Sequence, residues 1–294
     1  MNTALSSMLS SYRLASAEEF LRALREVIQY LSLLGMWRSR YFERTAFCGG
    51  TALRIFHGLP RFSEDMDFSL LSPDRSFSLE PYLGSIRDEL ASFGFELDVV
   101  PGRKPAHRKI ESAFLKTNAL QCMLLIEAPA RITDRMHRDA RLKIKVEVDT
   151  DPPPRAEYEM RSLLLPVPFQ VRLSAPSSLF AGKLHALLCR SWKSRIKGRD
   201  FFDFVWFIGK KVPCNLSHLR ARMVQAGNLS ESEAFGPARL ADMLHKRFDA
   251  VNIREAAQEA RPFVADPRAV DVWSPDFFHS LVDQLVVENK EAED

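Results

Sequence analysis

The chain has 294 residues, 46% hydrophobic and 27% charged, an ordinary globular composition that excludes disorder as the main state. Its 12 glycines follow no period, which excludes collagen-like and repeat architectures. Lys and Arg number 41 against 38 Asp and Glu, and the resulting +3 is too small to argue for nucleic acid by itself.

Cys48, Cys122, Cys189 and Cys214 form no C-x-x-C pair, and none has a histidine at zinc-finger spacing. Neither a disulfide scaffold nor a structural zinc site is expected. Residues 1–16 lack the basic and apolar regions of a secretory signal. No run approaches the ~18 apolar residues of a membrane span, and the densest, Leu163 to Phe169, is broken by two prolines. A cytoplasmic protein with free thiols is the expectation.

Phe20, Leu21, Leu24, Val27, Ile28 and Leu31 predict a helix over 16–34, with Ser16 as N-cap and Glu19 completing a capping box. Ala46-Phe47-Cys48 reads as a strand, and Thr51 to Phe56 as a helix stopped by Gly58-Leu59-Pro60. Residues 64–71 alternate like a strand. A helix from Leu79 to Phe93, a strand from Phe95 to Val100 and a turn at Pro101-Gly102 follow. Residues 119–127 read as a buried strand, and the strictly alternating 142–149 as another. The cluster Pro152-Pro153-Pro154 marks a linker. After it come a strand-like stretch at 163–173, helices over about 177–190 and from near 199, and mainly helical sequence from about 215. This order predicts an α/β core over 1–151 and a mainly helical domain over 152–294.

Four segments carry candidate chemistry. Gly49-Gly50-Thr51, between a strand and a helix, allows a phosphate to approach backbone N–H groups at a helix start. In Arg61-Phe62-Ser63-Glu64-Asp65-Met66-Asp67, a strand would put Asp65 and Asp67 on one face. Two adjacent carboxylates repel unless a cation sits between them, and Mg²⁺ suits such ligands. On the 142–149 strand, Lys143, Lys145, Glu147 and Asp149 share a face. Either Glu147 or Asp149 would complete an acidic triad, with Asp149 preferred because strand ends face clefts. Finally, Lys183 and Arg190 share a helix face, as do Asp200 and Asp203. Between them runs a basic stretch, Arg190, Lys193, Arg195, Lys197 and Arg199, which as a charge run alone reads as a solvated loop.

Together, GGTALRIFHGLPRFSEDMDF and the later KLHALLCR and KGRDFFDF resemble the AbiEii/AbiGii toxin family of nucleotidyltransferases, which includes the MenT toxins. The resemblance spans roughly residues 46–207. It implies a nucleotidyltransferase fold of the polymerase-beta class, α/β (α+β), with a helical C-terminal domain that contributes Lys183 and RDFFD. It implies that Gly49, Gly50 and Thr51 hold triphosphate with Ser63 nearby. Asp65 and Asp67 would then bind Mg²⁺ or Mn²⁺, Lys183 would contact the nucleotide and Asp203 would be the last acid of the motif. Gly-Gly-Thr departs from the wider superfamily's Gly-Ser, and the family pattern leaves Asp149 undetermined.

The implied reaction is attack of an acceptor hydroxyl on the α-phosphorus of a nucleoside triphosphate, catalysed mainly by positioning and electrostatics. The expected acceptor is RNA, most of all tRNA, held in part by the basic stretch at 190–199 with Trp192 among it, while a second basic stretch, Arg131, Arg135, Arg138, Arg141, Lys143 and Lys145, runs into the strand carrying Glu147 and Asp149; a protein hydroxyl is the alternative. An antitoxin is the implied protein partner. A D-x-D glycosyltransferase leaves the Gly-Gly turn, Lys183 and RDFFD unexplained. A metal-dependent nuclease wants E-x-K on a strand, and here Lys145 precedes Glu147. An inactive nucleotide- or RNA-binding protein would tolerate loss of Asp65 and Asp67.

Overall fold

A computed structural model of the chain describes residues 3–102, 109–134, 136–190 and 196–288. The helices and strands in chain order are α1 (Thr3–Leu9), α2 (Ala17–Arg38), β1 (Thr45–Cys48), α3 (Gly49–His57), β2 (Met66–Leu70), α4 (Glu80–Ser92), β3 (Asp98–Pro101), β4 (Ile110–Asn118), α5 (Ala119–Leu125), α6 (Ala130–Thr133), β5 (Arg141–Asp149), β6 (Tyr158–Leu163) and β7 (Phe169–Ser174). Then follow α7 (Pro176–Cys189), α8 (Gly198–Gly209), β8 (Cys214–Asn215), α9 (Leu216–Gln225), α10 (Pro237–Ala250), α11 (Ile253–Ala260), α12 (Pro275–Val282) and β9 (Val287–Glu288).

The chain divides into two compact units. The first comprises Met1–Ala52, Glu64–Pro152 and Met160–Leu173; the second comprises Leu53–Ser63, Pro153–Glu159 and Ser174–Asp294. One crossing between them falls inside the proline cluster, after Pro152.

The first unit is built on a mixed sheet of order β3-β4-β5-β2-β1-β7-β6. β1 runs antiparallel to β2 and parallel to β7, β2 runs parallel to β5, and β3-β4-β5 is an antiparallel meander. The expected capping box is present: Ser16 accepts from the Glu19 N–H, and Glu19 reaches back to the Ser16 N–H. The apolar stripe of α2 packs against α4 and β5. Tyr41, Phe47, Phe68 and Tyr82 meet edge-on or tilted and fill this core.

The strand expected over 119–127 is instead α5. Asn118 ends β4 and caps the helix, its side chain accepting from the Gln121 N–H. The residues are Ala, Leu, Gln and Met, good helix formers, and a short apolar run cannot be told from a strand by periodicity alone. β4 itself escaped the sequence reading. The stretch at 163–173 holds only the last residue of β6, then irregular chain and most of β7, and β2 begins only at Met66.

In the second unit α7 packs against α8 and α9, and α10 packs against α12. Phe180 stacks on Phe207, and Phe201, Phe204, Phe248 and Phe278 form one aromatic core. Gly198 starts α8 where a Cβ would overlap the Ala256 carbonyl oxygen, so only glycine lets α8 approach α11 this closely.

Candidate active site

In the first unit, β1 leads directly into α3, so Gly49-Gly50-Thr51 is the first turn of a helix that begins two residues earlier than its periodicity predicts. Gly49 has φ +75°, a backbone region that side chains disfavour. Its second constraint is steric: a Cβ at Gly49 would overlap the carboxylate of Asp67. Asp67 is the ladder partner of Cys48, so its carboxylate is packed against the start of α3. The partial positive charge at a helix N-terminus favours an anion there.

Asp65 precedes β2, so a shared strand face does not relate it to Asp67 as expected. It is held through its backbone instead. The buried Thr51 hydroxyl donates to the Asp65 carbonyl, and the buried Gln29 amide donates to the adjacent Glu64 carbonyl at 3.2 Å. Arg25 lies 3.6 Å from the Glu64 carboxylate. Thr51 therefore fixes the acidic segment through its side chain.

The β2–β5 register pairs Asp67 with Glu147 and Ser69 with Asp149. Glu147 thus stands level with Asp67 on the same sheet face, ion-paired with Lys145 at 2.6 Å. Asp149 lies one side-chain step further on, where its Oδ1 accepts from the Asp151 N–H at 3.0 Å.

Among the described residues, no three His, Cys, Asp or Glu side chains converge into a metal cage. The donor set nevertheless fits Mg²⁺, which is usually bound by one or two carboxylates together with substrate phosphates. Asp65, Asp67 and Glu147 are hard oxygen donors, and Gly49 leaves the space that the Asp67 carboxylate occupies.

In the second unit, α7 carries Lys183 and α8 carries Asp203. Lys183 Nζ lies 2.8 Å from Asp203 Oδ2. Arg61 grips the same carboxylate with both tines of its fork, Nε to Oδ1 at 2.5 Å and Nη2 to Oδ2 at 2.6 Å. Asp203 is fully buried and Arg61 only 3% exposed. Burial pushes the Asp203 carboxyl upward, but the Arg61 and Lys183 charges outweigh it and hold it below the usual carboxylate range. Asp203 stays ionised and orients Lys183. Arg61 is fixed by its own backbone: it bridges to Val264, while the Phe62 N–H donates to the Phe263 carbonyl at 2.8 Å. Asp200 is different. Burial raises its carboxyl despite Lys183 and Arg190, the latter at 2.8 Å.

Gly49, Gly50, Thr51, Asp65 and Asp67 are thus brought together in one unit, with Glu147 beside them. Lys183 and Asp203 are brought together in the other, which also contains the half-buried Ser63. Of the basic stretch, Arg190 is paired with Asp200, and the Arg199 guanidinium lies 4.1 Å from the Phe263 ring centroid. Lys197 is half-buried just ahead of α8. Lys193, Arg195 and the neighbouring Trp192 lie outside the described residues, as does Arg135. Sequence reasoning named Arg61 only as the start of the acidic segment, without its role, and missed Gln29. Arg61 lies four residues before Asp65, but nothing local marks an arginine as buried.

The family model for the nucleotidyl transferase AbiEii toxin of type IV toxin–antitoxin systems matches residues 32–281. Among solved structures, a candidate nucleotidyltransferase from Helicobacter pylori is 16% identical, with a TM-score of 0.50 over 88% of this chain and 91% of that one. At that identity the likeness speaks to the fold alone. JHP933 from Helicobacter pylori is 15% identical, with a TM-score of 0.45 over 88% of this chain and 87% of that one. An antigenic nucleotidyltransferase-like protein from Paracoccidioides brasiliensis is 18% identical, with a TM-score of 0.39 over 68% and 88% of the two chains. Among curated proteins, none matches.

Proposed function

Because the chain belongs to the AbiEii nucleotidyltransferase toxin family, we propose that it transfers a nucleoside monophosphate from a nucleoside triphosphate to an RNA hydroxyl, with tRNA as the foremost acceptor. The acceptor oxygen bonds to the α-phosphorus, the bond from that phosphorus to the bridging oxygen breaks, and pyrophosphate leaves. The acceptor's proton passes to a carboxylate or to water.

The observation that carries this reading is the seat of Asp67, packed on Gly49 at the start of α3. It puts a carboxylate beside a turn whose N–H groups suit a phosphate. Gly49 and Gly50 would hold the triphosphate through backbone donors, with Thr51 and Gln29 fixing the Asp65 segment. Asp65 and Asp67 would hold Mg²⁺ or Mn²⁺, with Glu147 favoured over Asp149 as third acid by the strand register; when bound, the metal neutralises charge at the phosphates. Lys183 would oppose the charge that grows on the transferred group and pyrophosphate, and Asp203 positions it. An antitoxin is the proposed protein partner and the cytoplasm the proposed compartment. No helix among the described residues is long and apolar enough to cross a membrane.

Incubation with each α-labelled triphosphate, Mg²⁺ and total RNA tests the reading. Label joined to RNA supports it. Label on protein alone replaces the acceptor by a protein hydroxyl, and shortened RNA without label replaces transfer by hydrolysis.

A further inference from the structure

The face of the sheet that carries Asp67 and Glu147 continues across β5 and β4 as a strip of a different character. Alternation along β5 places Arg141, Lys143 and Lys145 on the same face as Glu147, opposite the buried Leu142, Ile144 and Val146. The antiparallel register sets Phe114 against Lys145 and Lys116 against Lys143. Ladder partners project to the same side of a sheet. Lys143 Nζ stands 4.0 Å from the Phe114 ring centroid and Lys116 Nζ 5.9 Å.

The folded chain gains nothing evident from this arrangement. Like charges directly opposite on neighbouring strands repel. Neither Lys116 nor Lys143 makes an ion pair among the described residues; Asp98, the exposed β3 ladder partner of Lys116, sets an opposite charge beside it without closing an ion pair, and Glu147 pairs with Lys145. The ring of Phe114 relieves Lys143 in part, by an exposed cation–π contact that is weak in water. A polyanion would relieve it fully. Glu147 lies six residue steps along β5 from Arg141, roughly 20 Å at strand rise. The strip therefore leads to the carboxylates along one strand.

We propose that this sheet face, Phe114 with Lys116, Arg141, Lys143 and Lys145, is the binding track for a single-stranded end of the acceptor RNA, delivering its terminal hydroxyl towards Asp67 and Glu147. The proposal rests on the nucleotidyl-transfer reading and adds the surface that selects the acceptor. The four cations take backbone phosphates, and Phe114 stacks on an unpaired base once the Lys143 ammonium moves to a phosphate. Aromatic rings on an open sheet with flanking cations suit splayed bases, whereas duplex RNA would offer the ring nothing to stack on.

The test is the Lys116→Ala/Lys143→Ala variant of the full chain, with Phe114→Leu beside it. Binding of a fluorescent single-stranded oligonucleotide is measured by anisotropy over a salt series, and transfer by KM and kcat for RNA. The double variant should lose about one unit of salt slope, as expected for two phosphate contacts on a single strand, and its RNA KM should rise about tenfold. Phe114→Leu should raise KM without changing the salt slope, and triphosphate affinity should hold in both variants. The control variant Lys210→Ala/Lys211→Ala removes the same charge from exposed positions after α8 and should leave the slope unchanged. An unaltered slope and KM in the double variant, with the wild type labelling RNA, overturns the track but not the activity. Absence of RNA labelling by the wild type overturns the activity itself. An equal loss of slope in the control reduces the effect to net charge and also overturns the track.

Discussion

Arg61 closes a two-pronged fork on Asp203, at 2.5 and 2.6 Å, and the oxygen that accepts the second prong also holds Lys183 at 2.8 Å. One buried carboxylate thus balances two cations, and the three residues differ in what their removal leaves behind. Lys183→Ala leaves the fork intact. Stability should stay near wild type while transfer falls ~10–1000-fold, the range for losing one electrostatic donor. Arg should rescue only in part, because a planar fork does not replace a compact ammonium. Wild-type kinetics in Lys183→Ala would return that residue to a structural role.

Asp203→Ala leaves the buried Arg61 without the carboxylate that hydrogen-bonds its fork, with only the more distant Asp200 and Glu259 charges near it, and breaking such a buried pair costs ~3–5 kcal/mol. Urea unfolding should rank Asp203→Ala as the most destabilised of the three, then Arg61→Ala, then Lys183→Ala. Asp203→Ala equal in stability to Lys183→Ala would contradict the role of the fork.

Gly49→Ala should damage both backbone and chemistry. A side chain in the left-handed region costs ~1–2 kcal/mol, and its Cβ would overlap the Asp67 carboxylate. Combining it with Asp67→Ala removes the carboxylate from the overlap and leaves only the Cβ of residue 67 at 2.9 Å, so the double variant should be more stable than the sum of the singles by ~0.5–3 kcal/mol. Strict additivity in melting experiments would show that the two residues do not touch.

Asp65→Ala and Asp67→Ala should each abolish transfer; Asp65→Ala should leave stability unchanged or slightly higher by removing repulsion, whereas Asp67→Ala also loses the favourable seat of its carboxylate at the start of α3 and should be the less stable of the two. Between the candidates for third carboxylate, Glu147→Gln should reduce kcat more than Asp149→Asn. The register sets Glu147 level with Asp67. The opposite ranking in initial rates would give the role to Asp149.

His218 sets an acid limit on the second unit. Its Nδ1–H donates to the Pro154 carbonyl at 2.8 Å. Burial pulls its pKa down; that hydrogen bond opposes the shift, while Arg222 and His185 add to it, and the value settles at about 4. The unfolded value is ~6.5. The unfolded chain therefore takes up a proton that the folded protein refuses between these values. The contribution is complete above pH ~6.5 and is lost as pH falls through about 4, a change of about 3 kcal/mol. Unfolding free energies from pH 7.5 to 4.5 should fall less steeply in His218→Asn than in the wild type. Equal slopes would rule the residue out.

Much of this was legible in the chain itself. The capping box and apolar period of α2 and the alternation of β5 are relations between residues a few positions apart. Local backbone geometry reads such relations directly. Residues 119–127 resisted because a short apolar run suits a buried strand or a helix equally, and the Asn118 cap decided it. Other features depend on which distant segments meet. Arg61 and Asp203 are 142 positions apart, so nothing near either residue announces a buried fork. The choice between Glu147 and Asp149, and the apposition of Lys116 with Lys143, are matters of strand register. Alternation assigns a residue to a face of its own strand, but only pairing with a neighbouring strand decides what stands beside it.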